Sequence, residues 1–148
     1  MSMREFKRII LHCTATPPNM FVDVETIRKW HTSPPNNWSD IGYHYVIYRD
    51  GSIHTGRPVS RTGAHTKKHN EDSVGIAYVG GVDNDMKPED NMTMMQEVSY
   101  LLLVRSLRVT FGPMTIHGHN EYAAKACPSF IVRDKFKFLI LPSDGVSN

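Results

Sequence analysis

Side chains that can bind a metal lie in two widely separated parts of this sequence, and a fold that uses both must bring them together. Residues 117–130 contain two histidines and a cysteine, His117, His119 and Cys127. His12 ends an apolar run near the N-terminus, from which it can supply a further ligand on a neighbouring strand. Two histidines and one cysteine bind zinc and leave a fourth position open, which is the ligand count of a catalytic zinc site. The sequence therefore predicts a metal site that joins the first strand to this late segment.

His117 and His119 are alternatives for one of these ligands. They lie two positions apart, so in an extended chain both side chains face the same side. The site needs only one of them. The residues alone leave both possibilities open.

Apolar and β-branched runs predict the strands of the domain. These strands are Lys7–Cys13, Gly42–Arg49, Ser52–Thr55, Val74–Val79 and Met114–Gly118. The pair Asp50-Gly51 predicts a two-residue hairpin turn between the second and third strands.

Three further segments predict helices. Val24–His31 follows Asp23, which can cap the first turn. A longer helix begins with a capping box at Thr93 and extends to about Val109. A closing helix is predicted over Ile131–Leu139. The side of the long helix expected to face the core comprises Met95, Val98, Leu101, Leu102 and Arg105.

The chain length fits one domain. A chain of 148 residues can bury roughly 70% of its unfolded surface without disulfides. Strands that alternate with helices predict an α/β domain in which a central mixed sheet of about five strands is flanked by helices. We assign this domain to residues 1–148, with a core at about 6–140 and a tail over 141–148, where Gly145–Asn148 is expected to fray.

Charge and hydropathy exclude several classes of function. A net charge of +2 and a pI near 8.6 are too mild for a dedicated nucleic-acid-binding domain. No apolar run approaches the ~20 residues of a membrane span, and the first residues lack the apolar segment of a secretory signal. We expect no nucleic-acid partner, no membrane insertion, and synthesis in the cytoplasm without a signal peptide.

Cys13 and Cys127 are the two cysteines of the chain. In a reducing cytoplasm a disulfide between them is not expected. Cys13 directly follows His12, so on a strand its side chain points to the opposite face. Its apolar neighbours predict a buried, inert thiol.

Six short motifs occur in an order that is typical of one family. They are His12-Cys13-Thr14-Ala15-Thr16, Asp40-Ile41-Gly42-Tyr43-His44-Tyr45, Arg49-Asp50-Gly51, Gly63-Ala64-His65, Ser73-Val74-Gly75-Ile76 and Lys125-Ala126-Cys127-Pro128-Ser129-Phe130. In these motifs and their spacing the chain resembles the zinc N-acetylmuramoyl-L-alanine amidases of the type-2 group, from about Phe6 to about Phe138. It is most similar to the short phage endolysins of that group, whose relatives include peptidoglycan recognition proteins.

This resemblance implies a ligand set as well as the type-2 amidase fold. The family has a Gly-His pair with the cysteine eight residues later, which selects His119 and Cys127. Together with His12 they are expected to bind one zinc ion per chain. His117 then becomes a residue of the sheet or a neighbour of the site.

The resemblance also implies residues for catalysis and substrate binding. Tyr43 and Lys125 match residues that lie beside the metal in the family, where one serves as oxyanion donor and one as proton carrier. The sequence does not divide these two roles between them. His65 and Asn70 resemble positions of the substrate groove.

The implied activity is hydrolysis of the amide bond between N-acetylmuramic acid and L-alanine in peptidoglycan, by a monomeric endolysin that reaches the wall after holin-type release. One alternative is a module that binds peptidoglycan without cutting it, although such relatives commonly lack the cysteine. Another is an amidase that also inhibits a phage RNA polymerase. A peptidase of the His-x-His zinc class is a third, but its upstream motif is missing.

The remaining histidines and the tryptophans are given structural roles. His44 should point away from Tyr43 and stabilise the fold. Trp38 is expected to pack, or else to line a sugar-binding edge. Surface or helix-end positions are predicted for His31, His54 and His69, and packing is predicted for Trp30.

Overall fold

The computed structural model describes residues 4–142, and a five-stranded mixed sheet lies at the centre of this part of the chain. Its strands are β1 (Arg8–Cys13), β2 (Tyr45–Ile47), β3 (Ile53–Thr55), β4 (Ser73–Tyr78) and β5 (Thr115–Gly118). They follow the order β3-β2-β4-β1-β5. Neighbouring strands are parallel except β3, which is antiparallel to β2. The predicted α/β sheet is confirmed, whereas most of the predicted tail, from residue 143 onward, lies outside the described residues.

Helices cover both faces of this sheet. They are α1 (Val24–Thr32), α2 (Met94–Phe111) and the short α3 (Val132–Lys135). Both predicted caps are present. The Asp23 side chain accepts the backbone N–H of Thr26 at 2.8 Å. In the capping box of α2, the Thr93 hydroxyl accepts the Gln96 N–H, and the Gln96 side chain accepts the Thr93 N–H in return.

Successive side chains of β1 point to opposite faces of the sheet, and the two faces have different surroundings. Ile9, Leu11 and Cys13 belong to the main core, which includes α2. His12 points to the other face and is 1% exposed. A smaller core that includes Ile27 of α1 covers part of that face. The polar site therefore forms on the sheet face opposite to the main core.

The hairpin between β2 and β3 has a three-residue loop rather than the predicted two-residue turn. The Gly51 N–H donates to the Tyr48 carbonyl, which makes Arg49 and Asp50 the central residues of the turn. Gly51 follows in the left-handed region with φ of 88°, where glycine is favoured. A turn followed by a left-handed glycine is the next most common hairpin connection. The predicted strand Gly42–Arg49 is correspondingly shorter and spans only β2.

The core-facing side of α2 was predicted wrongly. Met95, Val98 and Leu102 are 56%, 44% and 55% exposed. The buried positions of this helix include two polar residues, Gln96 and Ser99. Because both polar side chains bond backbone carbonyls of the sheet region, they are satisfied inside the protein.

The predicted closing helix Ile131–Leu139 is interrupted. Only α3 is α-helical, and residues Lys137–Leu139 form a 3₁₀ turn after Phe136 leaves the helical region. Phe136 and Leu139 are 2% and 3% exposed. Both side chains belong to the main core, so the segment packs on the sheet although its helix is interrupted.

Candidate metal centre

The three predicted ligands come from adjacent parts of the fold. His12 lies near the C-terminal end of β1, and His119 begins the 3₁₀ turn that directly follows β5. Because β1 and β5 are neighbouring parallel strands, their C-terminal ends meet at one edge. Cys127 follows in the next loop. One ligand atom from each of His12, His119 and Cys127 lies within 4.8 Å of the others.

The two histidines of this cluster are suited to bind a cation as neutral imidazoles. Burial holds the pKa of His12 well below its usual value. The pKa of His119 is also lowered, first by burial and then by the nearby Lys125. No hydrogen bond to the His119 ring occurs within residues 4–142. Its nitrogen lone pair is therefore available to a metal.

Cys127 is held close to Cys13 by the backbone. The Cys13 N–H lies 3.2 Å from the Cys127 sulfur. Contact with the Cys13 side chain, and then burial, raise the pKa of the Cys127 thiol. A coordinated cation would deprotonate such a thiol. The donor set of two neutral imidazoles and one thiol therefore fits zinc.

Two hydrogen bonds fix the loop that carries Cys127. The Tyr78 hydroxyl donates to the Pro128 carbonyl at 2.6 Å, and the Ser129 hydroxyl donates to the Gly81 carbonyl at 2.7 Å. Tyr78 is fully buried on β4. The thiol is thus positioned by the sheet, although it belongs to a loop.

His117 is engaged elsewhere. Its Nε2 lies 2.6 Å from the Thr115 hydroxyl, and its Nδ1 lies 2.8 Å from a carboxylate oxygen of Glu121. Both ring nitrogens therefore have protein partners. The structure brings His119, and not His117, together with His12 and Cys127.

Tyr43 and Lys125 lie at the same site in different environments. The Tyr43 ring is 5.1 Å from the ring of His12, measured between centroids. Burial raises the pKa of Tyr43, so its hydroxyl stays protonated and can donate a hydrogen bond. Lys125 is exposed and lines the groove that opens beside His119.

His31 belongs to the surroundings of the site, a role that the sequence did not reveal. It lies at the end of α1, as predicted, but its ring packs 5.3 Å from the Tyr43 ring. Its Nδ1 accepts the Gly42 N–H at 2.9 Å. No residue pattern signals this contact, because it depends on how α1 lies across the loop before β2.

A groove of about 530 Å³ passes beside the cluster. The predicted residues His65, Asn70 and Lys125 line it, as does Trp38. Thr66 and Tyr122 are lining residues that the sequence analysis missed.

The side chains of His65 and Asn70 bond mainly to the protein, although both residues line the groove. The Asn70 amide oxygen accepts the backbone N–H groups of His65 and Thr66 at 2.9 and 2.8 Å. His65 is 9% exposed, and its Nδ1 lies 2.8 Å from Nε2 of His12. Asn70 therefore holds the loop that brings His65 to the cluster of His12, His119 and Cys127.

Comparison with known proteins assigns the family. A family model described as N-acetylmuramoyl-L-alanine amidase matches residues 2–130. The chain belongs to this amidase family. The endolysin of Enterobacteria phage K11 is 41% identical over 127 residues, which cover 86% of this chain and 83% of that protein. The endolysin of Escherichia phage T7 is 40% identical over 122 residues, or 82% of this chain and 80% of that protein.

Solved structures share the fold of this chain. The N-acetylmuramoyl-L-alanine amidase LysC from Clostridium intestinale URNW has a TM-score of 0.78 at 26% identity, covering 91% of this chain and 85% of LysC. Bumblebee PGRP-SA has a TM-score of 0.74 at 25% identity, covering 92% of this chain and 85% of that one. The predicted type-2 amidase and recognition-protein fold is confirmed.

His44 stabilises the amidase fold as predicted. It is 1% exposed. Its Nδ1 accepts the Gly75 N–H at 3.0 Å, and its Nε2 donates to the Arg61 carbonyl at 2.8 Å. Within residues 4–142, no helix is both long and apolar enough to cross a membrane.

Proposed function

We propose that this protein is a zinc-dependent N-acetylmuramoyl-L-alanine amidase that hydrolyses the bond between N-acetylmuramic acid and L-alanine in peptidoglycan, as a phage or prophage endolysin. The observation that carries the proposal is the convergence of His12, His119 and Cys127 within 4.8 Å. The groove lined by His119 and Lys125 provides room for a substrate beside these ligands.

His12, His119 and Cys127 would hold one zinc ion per chain. When bound, zinc polarises a carbonyl and lowers the pKa of water to about 7. The three protein ligands leave a further coordination position for water or substrate. Burial around His12 keeps its imidazole neutral, as a ligand must be.

The protein supplies a hydrogen-bond donor for charge that develops on the carbonyl oxygen. Tyr43 fits this role, because burial keeps its hydroxyl protonated. A single donor of this kind typically contributes ~10² to 10³ in rate. Two exposed lysines, Lys67 and Lys125, line the groove. Lys125 fits the role of proton carrier to the leaving amine, because its charge acts on the nearby His119 and lowers the pKa of that ring.

The groove walls would position the substrate. Trp38 is 37% exposed and lines the groove, where its ring offers an apolar face to a sugar or peptide. Tyr122 lines the same groove and is itself held by the His69 ring at 4.3 Å. We assign His65 and Asn70 to the wall as well, with most of their polar groups turned inward.

Mass spectrometry of digested peptidoglycan tests the reaction directly. Purified protein should release intact stem peptides that begin with L-alanine, and leave glycan strands without them. Fragments broken within the glycan or within the peptide would contradict the proposal. Binding without any release would favour a recognition module like the structural relatives that share this fold.

The metal is tested with the two cysteines as a matched pair. Cys127→Ser should lose the bound zinc together with activity, since it removes the thiolate ligand. Cys13→Ala should retain both, because the Cys13 thiol is not one of the three proposed ligands and alanine keeps the backbone N–H that lies 3.2 Å from the Cys127 sulfur. Removal of zinc by a chelator should abolish turnover, and added Zn²⁺ should restore it. Full activity in metal-free protein would contradict zinc dependence.

A further inference from the structure

A buried line of hydrogen-bonding side chains starts at His12 and leads away from the groove. Nε2 of His12 lies 2.8 Å from Nδ1 of His65. The other ring nitrogen of His65, Nε2, lies 3.2 Å from the Ser73 hydroxyl. The Thr66 hydroxyl lies beside the first contact, 2.9 Å from His65 and 3.3 Å from His12. His12, Thr66 and Ser73 are at most 2% exposed.

The sheet is shaped to receive the His65 ring. A Cβ atom placed on Gly75 of β4 would lie 2.5 Å from His65 Cδ2, and one placed on Gly63 would lie 2.8 Å from the same atom. Real Cβ atoms do not approach other atoms so closely. The two glycines therefore leave the space that the ring fills. Asn70 fixes the backbone of the same loop through the His65 N–H.

We propose that His65 is a positioning residue, which accepts a hydrogen bond from His12 and thereby fixes the tautomer and ring orientation of that metal ligand. The inference rests on the proposed zinc function. Since Nε2 of His12 faces His65, Nδ1 is the nitrogen left to bind the metal. The proton of His12 then lies on Nε2 and is donated to Nδ1 of His65. His65 in turn carries its proton on Nε2 and donates it to Ser73.

The general chemistry of metal sites favours a positioning role for His65 over a role in which it only contacts the substrate. A ligand histidine usually donates its second N–H to an outer partner, and loss of that partner typically costs 10- to 100-fold in metal affinity or activity. Within the described residues, the groups within hydrogen-bonding distance of Nε2 of His12 are His65 and Thr66. Of these, the His65 ring is closer, at 2.8 Å.

Two substitutions separate hydrogen bonding from packing. His65→Leu keeps most of the side-chain volume but offers no acceptor, whereas His65→Asn is smaller but retains a polar group near the position of Nδ1. We expect the leucine variant to bind zinc ~10- to 100-fold more weakly than wild type, and the asparagine variant to recover part of this loss. Zinc affinity is measured by competition with a chromophoric chelator, and unfolding of the metal-free proteins shows whether each variant folds.

His69→Ala is the matched control, since His69 lies in the same loop but packs on Tyr122. It should bind zinc like wild type. A packing role for His65 would reverse the order, so that leucine is tolerated and asparagine is not. Zinc affinity of the leucine variant within threefold of wild type would overturn the proposal.

A second measurement uses wild-type protein and does not depend on any variant folding. Long-range ¹H–¹⁵N spectra of the zinc-loaded protein report which ring nitrogen of each histidine carries the proton. Protons on Nε2 of both His12 and His65 are expected. A proton on Nδ1 of His12 would refute the positioning role while leaving the zinc amidase intact. Wild-type protein that binds no zinc would instead refute the proposed function.

Discussion

At the scale of single residues, the two histidines of His117-Gly118-His119 have opposite surroundings although they lie two positions apart. The His117 ring is held at both nitrogens, by Thr115 and Glu121. The ring of His119 is 4.6 Å from that of His12, and its nitrogens have no hydrogen-bond partner in the described chain. His117 and His119 are the same residue type in the same short segment. Only their neighbours in the folded protein distinguish the candidate ligand from the structural residue.

The two histidines should therefore respond differently to substitution. His119→Ala should abolish zinc binding and amidase activity, because it removes one of the three proposed ligands. His117→Ala should retain the zinc, with a loss of stability of about 1 kcal/mol for the hydrogen bonds removed. Metal analysis of the two purified variants measures the difference. Equal loss of zinc in both would show that the ligand set is wrong.

Tyr43 allows a similar test of catalysis. Tyr43→Phe should lower kcat by ~10² or more while zinc remains bound, because the variant lacks only the hydroxyl that is proposed to donate to the developing charge. Tyr45→Phe is the control, since Tyr45 lies two positions away and packs against the main core. Turnover rates of both variants on purified peptidoglycan, with metal content measured in parallel, test this prediction. Near-normal kcat in Tyr43→Phe would remove this residue from the mechanism.

At the scale of elements, the hydrophobic pattern of α2 does not predict which side of the helix faces the core. Its sequence carries apolar residues around most of the helix, so the pattern does not select one side. The buried side of the helix is instead the one that carries Gln96 and Ser99. Gln96 donates to the carbonyls of Ile47 and Val79, which ties the helix to strand ends. Tertiary hydrogen bonds of this kind cannot be read from the helix alone.

Leu102 and Leu103 make the orientation of α2 testable with adjacent, identical residues. Leu103 is 8% exposed and Leu102 is 55% exposed. Leu103→Ala should lower the free energy of unfolding by about 2–4 kcal/mol, since it leaves a cavity in the core. Leu102→Ala should lower it by less than about 1 kcal/mol. Urea denaturation of the metal-free variants measures both, and a larger loss for Leu102 would mean that the helix is rotated.

At the scale of the whole molecule, the sequence predicted the parts of the site that lie on regular elements or in strong motifs. The position of His12 at the end of a strand predicted a ligand near the late segment, and the spacing of the family motif selected His119 over His117. The packing of His31 on Tyr43 and the inward turn of His65 could not be predicted. Both depend on long connections between strands, whose paths no periodicity specifies.

The burial of several neutral histidines should make the metal-free fold sensitive to acid. Burial lowers the pKa of His44 to about 4, and it lowers the pKa values of His12 and His65 well below the ordinary value of 6.5. Between pH 6.5 and pH 4, the unfolded chain binds protons that the folded protein does not. The free energy of unfolding must therefore fall as the pH falls through this range.

For His44 alone this loss amounts to at most about 3 kcal/mol, since each unit of pKa difference corresponds to 1.36 kcal/mol. Urea denaturation with a chelator present, repeated at several pH values from about 7 to about 4, gives the proton uptake on unfolding. His44→Gln should reduce that uptake by about one proton. If the variant and wild type show the same pH dependence, His44 is not its source. Because the chelator keeps the protein free of metal, a change in stability under these conditions reports on buried imidazoles and carboxylates of the fold. The variant then gives the contribution of one histidine.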